Sequence, residues 1–202
     1  MYTMAFPWRS TRSVETIITL STREYIDGRI STSCYKRPNS MHEDLKFQQS
    51  IEMADYQPFV TSLTAELGPE FARSMRNWCG LEPRPYPLAD WEIFIARQSN
   101  QPVGICSHYR QPDDSQRRYW IGWIGVLKDE RRRGIGSAML RFIEERLWYA
   151  YEAPEVWVYT DTVSAVSFYQ ANGYQPAGTF GEIHLPQAAA REDSTVLRKV
   201  LG

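Results

Sequence analysis

Cysteine is scarce in this 202-residue chain. Its three copies, Cys34, Cys79 and Cys106, are widely spaced and odd in number. No disulfide framework and no Cys-x-x-Cys metal pattern can be built from them, so they read as reduced thiols in a cytosolic-type compartment. Cys106 lies in an apolar stretch and reads as core. Long hydrophobic runs are also missing: the longest, Ile121 to Leu127, is far too short to span a bilayer. Neither charge sign dominates, since 24 acidic residues balance 23 basic ones for a net charge of −1. A nucleic-acid module would show a basic face, which this balance does not supply. No internal repeat is visible. The chain's 43% hydrophobic and 23% charged content is that of an ordinary globular protein with room for one full core.

Residues 1 to 40 differ from the rest. They are rich in Ser, Thr and Arg, poor in acids and without periodicity, and they lack the apolar core of a secretory signal. A disordered tail, a mitochondrial-type presequence and sequence upstream of a true start at Met41 are the competing readings. Disorder or a misplaced start fits best, because no Arg-bearing amphipathic helix stands out. Ile17, Ile18 and Leu20 suit a short strand or helical turn. The folded domain is therefore expected over 41–202.

Within it, Lys46 to Ile51 reads as a strand. Asp55 reads as the cap of a helix ending at Leu67, with Gly68-Pro69 as its stop. Pro69 to Trp78 reads as a second helix with proline at its first turn. Pro83, Pro85 and Pro87 make 82–88 an extended loop. Trp91 to Arg97 and Val103 to Arg110 suit a hairpin around Ser99-Asn-Gln-Pro102, and after a polar turn over 111–116, Arg118 to Leu127 suits a third strand. A helix is expected from Gly134 to about Tyr149, with Met139, Ile143 and Leu147 on one face. Glu155 to Thr160 alternates as a strand, Ser164 to Ala171 is a short helix stopped by Asn172-Gly173, and Thr195 to Val200 is a closing strand. This order predicts an α/β fold with a mixed central sheet flanked by helices.

The richest segment is the junction between the third meander strand and the next helix, Arg131-Arg-Arg-Gly-Ile-Gly136 followed by Ser137. A turn at a helix N-terminus presents free backbone N–H groups at the positive end of the helix dipole, which suits a phosphate or pyrophosphate. Gly134 and Gly136 allow close backbone approach, and Arg131, Arg132 and Arg133 add charge. Two phosphate loops are excluded: Ser137 and Ala138 follow Gly136 where a Walker loop needs Lys and Ser or Thr, and Met139 stands where a dinucleotide fingerprint needs a small residue.

The pattern Arg-x-x-Gly-x-Gly after Ile124-Gly-Val126 resembles the acyl-CoA pyrophosphate loop of the GNAT superfamily of N-acetyltransferases, with Lys128 where the family usually has proline. A second family element is matched downstream by Ala165, Phe168, Tyr169, Gly173 and Tyr174, with Thr162 at the usual asparagine. The resemblance covers residues 44 to 202 and implies the acyl-CoA N-acyltransferase fold. It also implies acetyl-CoA as cosubstrate, bound by Ile124, Val126, Arg131, Arg132, Arg133, Gly134, Ile135, Gly136, Ser137 and Thr162. By the same resemblance the N–H of Ile124, freed by a bulge that Gly122 and Gly125 favour, polarises the thioester carbonyl, and Tyr169 protonates the departing thiolate. Oriented donors of this kind contribute about 3 kcal/mol to such transition states.

The general base does not carry over. Trp120 occupies the position where many members have glutamate, and a tryptophan cannot take a proton; it could instead wall an apolar or aromatic acceptor pocket. His108, Asp161, Glu182 and His184 are candidates by type alone, and a water chain or an amine that binds neutral would need no side-chain base. The expected function is transfer of an acetyl group from CoA to the primary amine of a small molecule or peptide, with no metal, no nucleic acid and no membrane involved. A homodimer stays open. The rival readings are a non-catalytic acyl-CoA-binding or sensor domain, and an anion-binding interaction module with no CoA specificity.

Overall fold

The computed structural model describes residues 24–26, 29–31, 44–83, 88–112, 114, 118–183 and 192–202. Two short strands, β1 (Glu24–Ile26) and β2 (Arg29–Ser31), pair antiparallel with each other. The domain then runs β3 (Leu45–Gln48), α1 (Met53–Leu67), α2 (Pro69–Trp78), β4 (Ala89–Gln98), β5 (Gln101–Arg110) and β6 (Tyr119–Val126). After a 3-10 turn come α3 (Ile135–Tyr151), β7 (Glu155–Thr160), α4 (Val163–Ala171), β8 (Gln175–Thr179), the short α5 (Phe180–Ile183) and β9 (Thr195–Val200). Strands β3 to β9 form one seven-stranded sheet in the order β3-β4-β5-β6-β7-β9-β8. Every neighbouring pair is antiparallel except β6 and β7. The expected mixed sheet is present.

Several boundaries differ from expectation for physical reasons. The β4–β5 hairpin closes on Ser99 and Asn100 alone, both left-handed (φ 49° and 64°), so Gln101 and Pro102 join β5 instead of the turn. Paired left-handed residues match the twist of the flanking strands. Glu52, not Asp55, is the N-cap of α1. Asp55 sits in the first turn, where its carboxylate accepts from Ser50 Oγ at 2.5 Å and from Arg97 at 2.7 Å, tying α1 to the sheet. Strand β8 and α5 were not expected: Gln-Pro-Ala-Gly-Thr has no alternation to read, and β8 is held by β9 alone. Ile17, Ile18, Leu20, Cys34 and His184, and part of the proline-rich loop, lie outside the described residues. No helix among the described residues is long and apolar enough to cross a membrane.

The alternation of each strand divides the core. On one face α3 covers Phe94, Cys106, Tyr119, Ile121 and Val156; on the other, α1 and α2 cover Ile93, Ile95 and Ile105. Helix α1 lies close on β6 because Gly125 has no side chain; a Cβ there would meet Leu63 at 2.7 Å. Phe142 of α3 anchors its layer, stacked on Phe47 at 4.0 Å and edge-on to Phe94 at 4.8 Å. Truncating such a ring removes both contacts and leaves a cavity, so Phe142→Ala is expected to cost about 3–5 kcal/mol. Chemical denaturation of the two proteins, read at unchanged m-value, checks this.

Candidate active site

The parallel pairing of β6 with β7 covers only Tyr119 opposite Val156 and Trp120 opposite Trp157. Beyond these residues the strands diverge. A cleft of about 580 Å³ opens in the gap, walled by Gly122, Trp123 and Ile124 of β6 and by Val158, Tyr159 and Thr160 of β7. Helix α4 closes one end with Ala165, Phe168 and Tyr169. A second hollow of about 500 Å³ continues from it along β6 to the arginine-glycine turn. Ile124 and Phe168 line both.

The register of β6 decides what this free edge offers. Cys106 to His108 of β5 faces Ile121 to Ile124 of β6, so β6 carries one extra residue, the bulge expected from Gly122. Trp123 donates its N–H to Ser107 Oγ at 2.7 Å, and Leu127 donates its N–H to Val103 O at 3.0 Å, both toward β5. Amides alternate sides along an extended strand. The intervening N–H groups of Ile124 and Val126 therefore turn to the opposite edge, where β7 has moved away. The Val126 carbonyl on that edge accepts from Arg131 Nε at 3.0 Å, and the same guanidinium reaches Glu66 of α1 at 2.7 Å. Arg131 thus clips the turn to both β6 and α1.

Gly134 caps α3 in a left-handed conformation (φ 76°, ψ 1°), and no side chain caps the helix. The first N–H groups of α3, those of Ile135, Gly136 and Ser137, are left for an anion at the positive end of the dipole. Arg132, also left-handed (φ 60°), lines the hollow and makes no ion pair among the described residues. Arg133 is turned away, held by Glu130 and by Gln98 at 3.1 Å. Gly136 has a packing role as well: a Cβ there would stand 3.2 Å from the Phe168 ring, so the bare backbone lets α4 seat closely on the first turn of α3.

Thr162 caps α4, accepting from the Ala165 N–H at 3.3 Å, and its residue lines the cleft. Tyr169 lines the cleft while its ring packs on Phe168 and Tyr174. Burial pushes its phenol well above the usual tyrosine range, so it stays protonated and can donate.

The base candidates separate cleanly. His108 is fully buried on the α3 face, where its Nε2 lies 2.9 Å from Glu92, and it does not line the cleft. Glu182 lies outside the cleft and accepts from the Thr179 N–H at 2.7 Å. His184 is outside the described residues. Asp161, at the end of β7, does line the cleft and accepts from Ser194 Oγ. Trp120 is not a cleft wall: it is fully buried behind it, against Trp157, Tyr159 and Phe180. The walls are instead Trp91, Tyr109, Trp123 and Tyr159, which sequence reasoning missed. Their common orientation follows from alternation, but only once the bulge and the strand order are known.

Residues 89–176, the span holding the splayed strands, the turn and α4, match the family model for the acetyltransferase (GNAT) domain. That match spans less than half of the 202-residue chain. Solved GNAT structures share its fold. An acetyltransferase from Streptococcus agalactiae superposes with a TM-score of 0.60 at 15% identity, covering 79% of this chain and 99% of that one. A GNAT acetyltransferase from Elizabethkingia anophelis, solved with acetyl-CoA bound, gives 0.54 at 15% identity over 79% and 99%. An acetyl transferase from Salmonella typhimurium that modifies the N-terminal serine of a ribosomal subunit protein gives 0.59 at 12% identity over 80% and 98%. A search of the curated proteins finds no significant match.

Behind the cleft, Glu92 joins β4, β5 and α3. It contacts His108 and receives Arg146 at 2.8 Å and 2.7 Å. Burial raises its pKa, but the hydrogen bonds from His108 and Arg146 outweigh burial and hold it at about 2 against an ordinary 4.5. A depressed folded pKa stabilises the fold above the unfolded value and loses that contribution as pH falls from about 4.5 toward 2. Glu92→Gln should therefore melt lower than wild type at pH 7, with the gap closing as the pH falls through 4.5. Thermal melts across that range check the convergence; a constant gap would contradict it.

Proposed function

We propose that this chain is an acetyl-CoA-dependent N-acetyltransferase acting on a primary amine, with residues 41–202 as the catalytic domain in a cytosolic-type compartment. The observation that carries this reading is the continuity of the two hollows at Ile124. An anion held at the arginine-glycine turn and an acyl group delivered beside Tyr169 lie on one path along the free edge of β6. The residues fit the cosubstrate. A pyrophosphate suits the N–H groups of Ile135, Gly136 and Ser137 with the Arg132 charge nearby. The extended arm suits the open edge at Val126 and Ile124, much as an added strand would.

In the proposed reaction the Ile124 N–H donates to the thioester oxygen as negative charge develops there. The amine nitrogen forms a bond to the carbonyl carbon, the carbon–sulfur bond breaks, and Tyr169 gives its proton to the leaving sulfur. The proton that the amine nitrogen loses returns to solvent, and solvent restores the phenol, so the proton count closes. One structural neighbour supports the acceptor class: the Salmonella typhimurium acetyl transferase modifies an N-terminal serine. Cleft geometry supports Tyr169 as the acid, since it is the titratable hydroxyl on the α4 wall.

Two experiments test the proposal. Acetyl-CoA should raise the melting temperature of the full chain through native-state binding. Gly134→Val should abolish that rise, because a β-branched residue is strained at φ 76° and its side chain blocks approach to the turn. A full rise in the variant would remove the turn from the cosubstrate site. Tyr169→Phe keeps the ring and its packing while removing the proton. Steady-state turnover should fall about 10²–10⁴-fold with the acetyl-CoA melting shift intact. An unchanged turnover number, with chemistry rate-limiting, would favour water as the acid; no turnover by wild type on any amine would favour an acyl-CoA-binding domain.

A further inference from the structure

Resting on the acetyl-transfer reading, we infer that the acceptor is a primary amine carrying an aromatic or bulky apolar group close to its nitrogen, seated between aromatic walls with its ammonium drawn to Asp161. The walls are braced from behind. Trp91 stands edge-on to Trp78 at 5.0 Å, Trp123 edge-on to Phe71 at 5.3 Å, and Tyr159 edge-on to Phe180 at 5.0 Å. Rings fixed in this way lose little freedom on binding and offer preformed apolar surface. Trp123 directly precedes Ile124, so an aromatic wall adjoins the amide edge of the reacting centre. A polyamine or a lysine side chain would place only methylenes and solvated charge against these surfaces.

The charges in the cleft select among amines in the same sense. Of its carboxylates, Glu66 is paired with Arg131 at 2.7 Å and Glu70 with Arg73 at 3.0 Å. Asp161 lines the same cleft, makes no ion pair among the described residues, and is oriented by the Ser194 hydroxyl. A single unpaired carboxylate beside aromatic rings suits one ammonium, to which the rings add cation–π attraction. One carboxylate is too few for a polycation.

A free arylalkylamine and a peptide beginning with an aromatic residue present the same chemistry, and a panel separates them. CoA release by the full chain at saturating acetyl-CoA would be measured with phenethylamine, a pentapeptide beginning with Phe, lysine and spermidine. One of the first two should exceed both polar amines in kcat/KM by about tenfold or more, the scale on which apolar pockets discriminate. Trp91→Leu and Tyr159→Leu should each raise KM for the preferred amine about tenfold while leaving the acetyl-CoA melting shift in place. Asp161→Asn should raise the same KM. Two wall variants are used so that one misfolded protein does not decide the result. Preference for spermidine or lysine, or KM within twofold of wild type in both wall variants, would overturn this inference and leave acetyl transfer standing. Absence of an acetyl-CoA melting shift in wild type would overturn the acetyl-transfer reading and this one with it.

Discussion

Two residues of parallel pairing hold β6 to β7, and the working half of the molecule depends on their being only two. Had the ladder continued past Trp120, the amides of Ile124 and Val126 would be satisfied by β7 and no cleft would exist. An open edge inside a protein normally invites another chain. Here the edge is narrow and flanked by α1 and α4, so the partner it admits is slender and extended. The bulge at Gly122–Trp123 sets which amides face the gap, because one extra residue inverts the alternation for everything after it.

A splayed sheet needs reasons not to close. One lies beneath the divergence, where Trp120, Trp157, Tyr159 and Phe180 fill the space behind the gap and hold the strands at their angle. Another is on the opposite face, where Glu92, His108 and Arg146 link two strands to α3 through hydrogen bonds. Glu92 is the hub: both His108 and Arg146 reach it, so removing its carboxylate would leave both without that partner. His108, attractive as a base from its residue type, serves this framework.

Legibility in the sequence followed locality. Strand β7, helix α2 and the α3 start at Gly134 depend on alternation, a proline at a first turn and a glycine cap, all readable from neighbours in the chain. The positions of the turn and of Tyr169 beside the two hollows could be anticipated because each lies in a short motif that carries the family resemblance. Long-range pairing was not. The Glu52 cap displaced Asp55 because Arg97, far along the chain, claims that carboxylate. β8 has no pattern of its own and exists because β9 offers it an edge. Trp120, a possible pocket wall by sequence, is the filling behind one, while the walls come from β4, β5, β6 and β7 together.

The contact between Gly136 and Phe168 has a mechanical consequence. Phe168 precedes Tyr169 on α4, and Gly136 belongs to the first turn of α3, so α4 cannot slide without moving that turn. The span from the turn to the phenol is therefore a fixed gauge, set by one ring resting on one bare backbone position. In the proposed reaction, a thioester arm a few atoms longer or shorter than the gauge would bring its sulfur to the wrong height beneath the hydroxyl. Substituting alanine at Gly136 would lengthen the gauge by the few tenths of an ångström that Phe168 must yield. Discrimination by carrier length thus needs no recognition of the carrier's chemistry along its middle.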